Sequence, residues 1–144
     1  MCTVISHSLC YLSSPGNFWT QAPDMPYATS GEAAGWAYNT IQQKTYIIAA
    51  GGFDNTRVQI FDPELNTWRY GPEMPLDIRY GAVIQFNNTF MIVGGDCVSQ
   101  SRAMTEIYQY EPDTETWLLR PESLSVRREH TAAFLVPNSY AKCT

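Results

Sequence analysis

The sequence predicts an all-β fold made of repeated four-stranded antiparallel units, and three observations support this prediction. Tryptophan recurs at equal intervals of 49 residues, at Trp19, Trp68 and Trp117. Short apolar runs separated by turn residues precede the second and third tryptophans, as expected for strands. In each of these two segments, one apolar run ends on a pair of glycines. A repeat of this length indicates units that bury their apolar faces against their neighbours.

The segments around the tryptophans align without gaps as "WTQAPDMP", "WRYGPEMP" and "WLLRPESL". An aromatic residue stands seven positions before each of the two later tryptophans, Phe61 before Trp68 and Tyr110 before Trp117, whereas the first copy has Leu12 there. The residues between them contain an acid, a proline and polar residues, which favour a hairpin turn. We therefore expect each aromatic pair to lie opposite across two strands, where such a pair contributes about 0.5–1.5 kcal/mol beyond area burial.

Two further strands are predicted upstream of each hairpin. They cover residues 33–38 and 45–50 in one unit and residues 81–86 and 89–93 in the next. Asn87 and Asn88 join the latter two runs, and asparagine tolerates the positive φ of a tight hairpin. The second run of each unit is apolar without alternation, so both of its faces should be buried between stacked sheets. The glycine pair that follows should allow the chain to turn where φ is positive or a Cβ would clash.

The combination of a glycine pair, an aromatic seven residues before tryptophan and a Pro-acid step after it resembles the kelch repeat. The resemblance covers residues 3–136 and implies β-propeller blades, each a four-stranded antiparallel meander. The motif residues are Trp19, Gly51, Gly52, Phe61, Trp68, Gly94, Gly95, Tyr110 and Trp117.

The resemblance divides residues 1–144 into a partial propeller of about three blades' worth. We expect a half blade at 3–20, whole blades at 30–74 and 79–123, and the first strand of a further blade at 128–137. Propellers typically close with four to eight blades. We therefore expect the chain to be either a fragment of a longer protein, whose remaining blades complete the propeller, or an arc that is completed by self-association.

Composition excludes two classes of partner. The chain has 144 residues and a formal net charge of −5, which argues against binding to nucleic acid or to an anionic membrane surface. Its longest apolar run, residues 46–53, is far shorter than the about 20 residues that a bilayer requires. We expect no nucleic-acid partner and no membrane insertion.

The cysteines and the first residues indicate the cellular compartment in which the chain is expected. Cys2, Cys10, Cys97 and Cys143 form no CxxC motif, so free thiols in a reducing compartment are favoured. The first residues lack the basic flank of a secretory signal. The cytoplasm is favoured and secretion stays open, in which case Asn87 in "NNT" would be a glycosylation acceptor.

No catalytic site is expected. His7 and His130 are the two histidines, and neither has a partner at metal-ligand spacing beyond Glu129. Cys97 has no adjacent basic residue that would activate a thiol, and no nucleophile elbow or phosphate-binding loop is present. We expect no cofactor and no metal. One alternative is a fragment of a kelch-fold enzyme, galactose-oxidase-like or sugar-processing, without its catalytic blades, and another is a truncated product without function.

A four-stranded meander places its loops on two rims. The loops 53–57, 70–80, 96–105 and 120–129 should share one rim, here called the arginine rim, which holds six of the nine basic residues. The opposite rim should be plainly acidic. It carries Asp62, Glu64, Glu111, Asp113 and Glu115, with Lys44 nearby.

The resemblance implies a non-catalytic protein-interaction module, because kelch propellers of the adaptor type bind partner proteins on such a rim through arginines at the start of a blade's first strand. Arg79 and Arg128 both stand eleven residues after a tryptophan and are expected at equivalent positions, where the first blade has Ser30. The alternative is that these arginines pair with neighbouring acids such as Asp77 or Glu129. The candidate partner-binding residues are Arg57, Arg79, Tyr80, Arg102, Arg127 and Arg128.

Overall fold

The structure is a computed structural model that describes residues 10–13 and 18–136, and the described residues form strands, turns and loops without a helix. The strands are β1 (Cys10–Ser13), β2 (Phe18–Gln21), β3 (Ala33–Asn39), β4 (Lys44–Ala50), β5 (Val58–Asp62), β6 (Thr67–Tyr70), β7 (Ile78–Arg79), β8 (Ala82–Phe86), β9 (Thr89–Val93), β10 (Asp96–Cys97), β11 (Arg102–Ala103), β12 (Ile107–Glu111) and β13 (Thr116–Leu119). The predicted all-β class is confirmed.

Two four-stranded antiparallel sheets dominate the fold. The first meander is β3-β4-β5-β6, and the second meander is β8-β9-β12-β13, with hydrogen-bonded neighbours following chain order in both. The hairpin β1-β2 precedes them, and a small sheet of β7, β10 and β11 joins two loops. The predicted four-stranded antiparallel units are therefore present.

The aromatic pairs lie where the sequence predicts them. Phe61 is directly opposite Trp68, and Tyr110 is directly opposite Trp117. The ring centroids of the two pairs are 5.1 and 5.3 Å apart. In the hairpin β1-β2, the backbone of Leu12 is opposite that of Trp19, in the same register.

The predicted turn chemistry is also confirmed. Asn87 and Asn88 have φ values of 49° and 66°, as the tight β8-β9 hairpin requires. Gly51 has a φ of 70°, and a Cβ added to it would lie 2.3 Å from the carbonyl oxygen of Ile78. Gly94 has a φ of 66°, so the second glycine pair repeats this conformation. Glycine is needed at these positions because the backbone has a positive φ and because there is no space for a Cβ atom.

The core lies between the two meanders. Ile48 and Ile60 on the first meander and Phe90 and Ile92 on the second are fully or almost fully buried. The sheets approach closely at Gly35, where an added Cβ would lie 2.9 Å from Val83 and 3.0 Å from Phe90. The absence of a side chain at Gly35 therefore sets the distance between the sheets.

A tryptophan–proline hydrogen bond links each meander to the segment before it. The indole Nε1 of Trp68 donates to the carbonyl oxygen of Pro23 at 2.8 Å. The indole Nε1 of Trp117 donates to the carbonyl oxygen of Pro72 at 3.1 Å. Both bonds span 45 residues, which explains why tryptophan and proline recur in the sequence with the same period.

The expected first strand at 128–137 is not formed in the described residues. Arg128 makes an isolated antiparallel bridge with Met104, and no strand follows from 129 to 136. A strand needs a neighbour for its backbone hydrogen bonds, and no other described segment pairs with this one. Residue 137 lies outside the described residues, as do residues 3–9 and 14–17 of the expected half blade, together with Cys2, His7 and Cys143.

Candidate partner-binding rim

Short strands and backbone hydrogen bonds fix the arginine rim. In the small sheet, Asp96 pairs with Arg79 and with Ala103, so the loops 70–80 and 96–105 are joined. The isolated bridge between Met104 and Arg128 adds the loop 120–129. The backbone that carries the candidate residues is therefore held by long-range pairing.

Arg79 is held by a carboxylate and by an aromatic ring. Its Nε and Nη2 atoms lie 2.8 and 2.7 Å from Oδ2 of Asp96. Its guanidinium carbon lies 4.1 Å from the ring centroid of Phe53, whose side chain is 48% exposed. The result is a fixed cation on an exposed aromatic ring, with the charge of Arg79 largely balanced by Asp96.

Tyr80 belongs to a row of equivalent backbone positions. The N–H of Tyr80 donates to the carbonyl of Gly31 at 2.8 Å, and the N–H of His130 donates to the carbonyl of Tyr80 at 3.1 Å. All three residues have a positive φ, of 72°, 56° and 54°. The rings of Tyr80 and His130 stack with their centroids 3.9 Å apart. His130 is therefore a rim residue that the sequence argument did not include.

This row corrects the expected equivalence of Arg79 and Arg128. Arg79 precedes Tyr80, and Glu129 precedes His130, so the position that matches Arg79 is Glu129. Arg128 matches Ile78 instead. The carbonyl of Ile78 accepts from the N–H of Gly52 at 2.9 Å, and the carbonyl of Arg128 accepts from the N–H of Gly95 at 2.8 Å. The expected equivalence is wrong by one residue, because the last unit has one more residue between its tryptophan and this row.

Arg57 and Arg102 have local partners. The guanidinium carbon of Arg57 lies 4.0 Å from the ring centroid of Tyr27, and Arg57 remains exposed. Arg102 donates to both carboxylate oxygens of Glu106, at 3.1 and 2.6 Å, and to the side chain of Gln100. The hydrogen bond from Arg102 lowers the pKa of Glu106 to about 2. Arg102 is thus engaged within its own loop.

Arg127 and Arg128 are both exposed. Arg127 donates through Nη1 to the carbonyl oxygen of Ala103 at 2.9 Å. The side chain of Arg128 makes no hydrogen bond or ion pair with any residue in the part of the chain that the structure describes. Among the six candidates, Arg128 is therefore the arginine whose charge is most available to another molecule.

Asp77, the alternative partner of the rim arginines, does not pair with an arginine of the described segments. It accepts hydrogen bonds from the backbone N–H and the hydroxyl of Ser99, at 2.8 and 2.6 Å, and from the thiol of buried Cys97 at 3.3 Å. Burial raises the pKa of Asp77, but the hydrogen bonds from Ser99 and Cys97 outweigh it and hold the pKa below its usual value. These contacts brace the loop that follows β10.

The opposite rim is less acidic than expected. Lys44 pairs with Asp62 at 3.1 Å and with Glu64 at 3.2 Å. Arg69 reaches this rim as well and forms a double hydrogen bond with Glu115. Alternate residues of a strand point to opposite faces, so Arg69 faces the second meander while its neighbour Trp68 faces away from it. A cavity of about 470 Å³ lies between these groups.

Two absences hold for residues 10–13 and 18–136. No group of three or more histidine, cysteine, aspartate or glutamate side chains is placed to hold a metal ion. No helix in this part of the chain has the length and apolar character needed to cross a membrane.

Comparisons with known proteins agree with the repeat and the fold. The family model of the Kelch motif matches residues 38–75. Kelch-like protein 23 of Pongo abelii is 31% identical over 91 residues, which are 62% of this chain and 16% of that protein. Kelch-like protein 23 of Homo sapiens is 31% identical over 90 residues, which are 62% of this chain and 15% of that protein. The chain thus spans less than a fifth of the length of these relatives.

A solved structure, that of YjhT, is similar in fold. It superimposes with a TM-score of 0.64 over 80% of this chain and 34% of the YjhT chain, at 14% sequence identity. The predicted kelch resemblance is therefore confirmed by a motif, by sequence relatives and by a structural neighbour. The chain carries a Kelch motif and is similar to proteins of the kelch-repeat family, and its four-stranded sheets have the fold of kelch-type propeller blades.

Proposed function

We propose that the chain is a non-catalytic protein-interaction module that binds a partner protein on the arginine rim. The observation that carries this proposal is the exposed Arg128 side chain, which has no polar partner among the described residues. Its backbone is fixed by the bridge to Met104 and by the hydrogen bond from Gly95. A cation on a fixed backbone loses little backbone entropy when it binds.

The chemistry of the rim favours an acidic segment of the partner. A guanidinium group pairs with a carboxylate through two parallel hydrogen bonds, and Arg128 has all of its donors available to a carboxylate. Arg57 and Arg127 are exposed and supply further positive charge. The exposed ring of Phe53 offers an apolar contact beside Arg79, and aromatic residues together with arginine dominate binding energy at protein interfaces.

The resemblance to kelch propellers of the adaptor type supports a protein as the partner. The names of the relatives, Kelch-like protein 23, place them in the same repeat family and specify no ligand. The six candidate residues then divide by role. Arg128, Arg57 and Arg127 contact the partner, whereas Arg79, Tyr80 and Arg102 hold the rim in shape.

A peptide selection tests this function. The 144-residue chain is used to select binders from a random peptide library, and the enriched sequences are measured against variants by titration. We expect enrichment in aspartate and glutamate next to an aromatic residue, and a loss of about tenfold or more in affinity for Arg128→Glu, because a carboxylate replaces a paired cation.

Arg120→Glu is the matched control. Arg120 carries the same charge and is partly exposed, but its Nε already contacts Glu122 at 3.3 Å. The affinity of this variant should change by less than that of Arg128→Glu, and both variants should keep the circular dichroism of the wild type. Equal losses for the two variants, or binders without acidic residues, would overturn the proposed role of the rim.

A further inference from the structure

A small cavity lies on the arginine rim, next to one of the arginines proposed to contact the partner. It has a volume of about 180 Å³ and is lined by Arg57, Val58, Tyr70, Gly71 and Glu73. Sites for drug-sized ligands measure about 300–1,000 Å³, so this cavity has room for one side chain of a partner rather than for a separate ligand. All of its lining residues belong to the first meander and the adjoining loops, so its walls do not depend on another blade.

The cation of the cavity is held by an aromatic ring and not by an acid. The guanidinium carbon of Arg57 lies 4.0 Å from the ring centroid of Tyr27. Tyr27 is fixed in turn by buried Gln59, whose side-chain amide accepts from its N–H at 2.8 Å and donates to its carbonyl at 2.9 Å. Within the described residues, no carboxylate pairs with Arg57. A ring contact positions a cation and leaves its hydrogen-bond donors unused, so Arg57 can donate to a partner.

An exposed carboxylate lines the same cavity. Oε2 of Glu73 accepts a hydrogen bond from the hydroxyl of Thr56 at 2.7 Å, while Oε1 has no partner in the part of the chain that the structure describes. Glu73 forms no ion pair with Arg57, although both side chains line the cavity. The cavity therefore separates an unpaired cation from an unpaired carboxylate.

Tyr70 supplies an aromatic wall. Its side chain is 54% exposed, and its backbone on β6 pairs with that of Gln59 on β5. The next residue, Gly71, adds no side chain, and its N–H donates to the carbonyl of Val58 at 2.8 Å. The wall thus stands on a paired strand, and an aromatic ring of a partner would pack favourably against it.

These walls select the chemistry of the side chain that fits. A hydroxyl group can accept a hydrogen bond from Arg57 and donate one to Glu73 at the same time. A charged tip would meet a like charge on one side of the cavity. An entirely apolar ring would cover both groups without pairing either of them, which is unfavourable. The best match is an aromatic ring that ends in a hydroxyl group.

We infer that this cavity binds a tyrosine side chain of the partner protein, with its ring against Tyr70 and its hydroxyl between Arg57 and Glu73. The inference rests on the proposed function of the arginine rim and gives that rim an anchor residue in the partner. The tyrosine would accompany the acidic residues of the partner segment that pair with Arg128.

The second meander does not repeat this chemistry. Leu119 has the strand position of Tyr70. Glu106 has the position of Arg57, since the carbonyls of both residues accept from the first glycine of a glycine pair, and Glu106 is already paired with Arg102. The second meander therefore offers a matched control position, Leu119, which is also exposed.

A nuclear magnetic resonance titration of the full 144-residue chain tests the cavity with small probes. N-acetyltyrosinamide should shift the backbone amide signals of Tyr70 and Gly71. N-acetylphenylalaninamide, which lacks the hydroxyl, should bind about tenfold more weakly. Glu73→Ala should remove most of this preference, and Tyr70→Ala should weaken the binding of both probes. Leu119→Ala should leave both affinities unchanged.

Three results would overturn the inference: no shift of the cavity signals by N-acetyltyrosinamide, equal affinities of the two probes, or equal effects of Tyr70→Ala and Leu119→Ala. Stronger binding of N-acetylglutaminamide, whose amide also donates and accepts, would overturn it as well. The titration uses no partner protein, so its outcome is separate from that of the peptide selection. A chain that binds the tyrosine probe but selects no acidic peptides would retain the tyrosine pocket and refute the proposed role of Arg128.

Discussion

The indole nitrogen of Trp117 donates a 3.1 Å hydrogen bond to the carbonyl oxygen of Pro72, and the two residues belong to different repeats. The same bond joins Trp68 to Pro23. Within its own sheet, the ring of Trp117 also packs on Tyr110, at a centroid distance of 5.3 Å. The Trp117 side chain thus packs against a neighbouring strand of its own blade and also hydrogen-bonds to the segment before that blade.

Replacement of Trp117 should separate these two contributions. Trp117→Phe keeps an aromatic ring opposite Tyr110 and loses the hydrogen bond, so it should lower the free energy of unfolding by about 1 kcal/mol. Trp117→Ala also loses the packing of a half-buried ring and should cost about 2–4 kcal/mol. Urea denaturation measures both values. Trp36→Phe, at an exposed indole without such a bond in the described chain, should cost less than Trp117→Phe, and the reverse order would contradict the role of the bond.

Acidic pH should lower the stability that the pairing of Arg102 with Glu106 contributes to the fold. The hydrogen bond from Arg102 lowers the pKa of Glu106 from 4.5 to about 2 in the folded state. A carboxyl group with a depressed folded pKa stabilises the fold above its unfolded pKa, and this stabilisation is lost as the pH falls towards the folded pKa. The contribution should therefore be complete above about pH 5 and decline between about pH 4.5 and 2.

Thermal unfolding across this pH range compares the wild type with Glu106→Gln. The variant should show a smaller loss of stability between pH 4.5 and 2, because its amide does not titrate. Glu73→Gln is a control for the general effect of removing a charge, because Glu73 is exposed and accepts a hydrogen bond from the hydroxyl of Thr56 rather than from a cation of the described residues. If Glu106→Gln and the wild type have parallel profiles, the pair does not contribute in this way.

Arg79 and Arg128 should respond differently to charge reversal. Arg79→Glu places a carboxylate beside Asp96 and removes the cation from the ring of Phe53, so it should lower the free energy of unfolding by about 2–4 kcal/mol. Arg128→Glu changes an exposed side chain without a described polar partner and should alter stability by less than about 0.5 kcal/mol. Chemical denaturation of the two variants distinguishes an arginine that stabilises the fold from one whose side chain is available to a partner. Equal effects on stability would contradict the separation of roles.

Much of the fold could be predicted because it depends on local patterns. The spacing from Phe61 to Trp68 and the turn residues between them determine a hairpin register. The positive φ of Asn87 and Asn88 follows from residues that favour a tight turn. The resemblance to the kelch repeat predicted the four-stranded blade, and the continuous apolar runs indicated stacked sheets.

The candidate site was predicted less well because its contacts join distant loops. A single extra residue after Trp117 moves Arg128 out of the position of Arg79, and counting from the tryptophan cannot detect such an insertion. Phe53 and Asp96 each follow a glycine pair directly, a shared position that could have indicated their contact with Arg79. Arg69 was missed at the opposite rim because the sequence pattern does not give the direction in which a residue of an edge strand points.

Nuclear Overhauser contacts from the indole N–H protons of Trp68 and Trp117, measured on dilute monomeric chain, examine the coupling between repeats without a mutation. The proton of Trp117 should show contacts to Pro72 and Gly71, and that of Trp68 should show contacts to Pro23 and Ala22. Indole protons that contact only residues of their own sheet would refute the stacking of successive blades through these bonds.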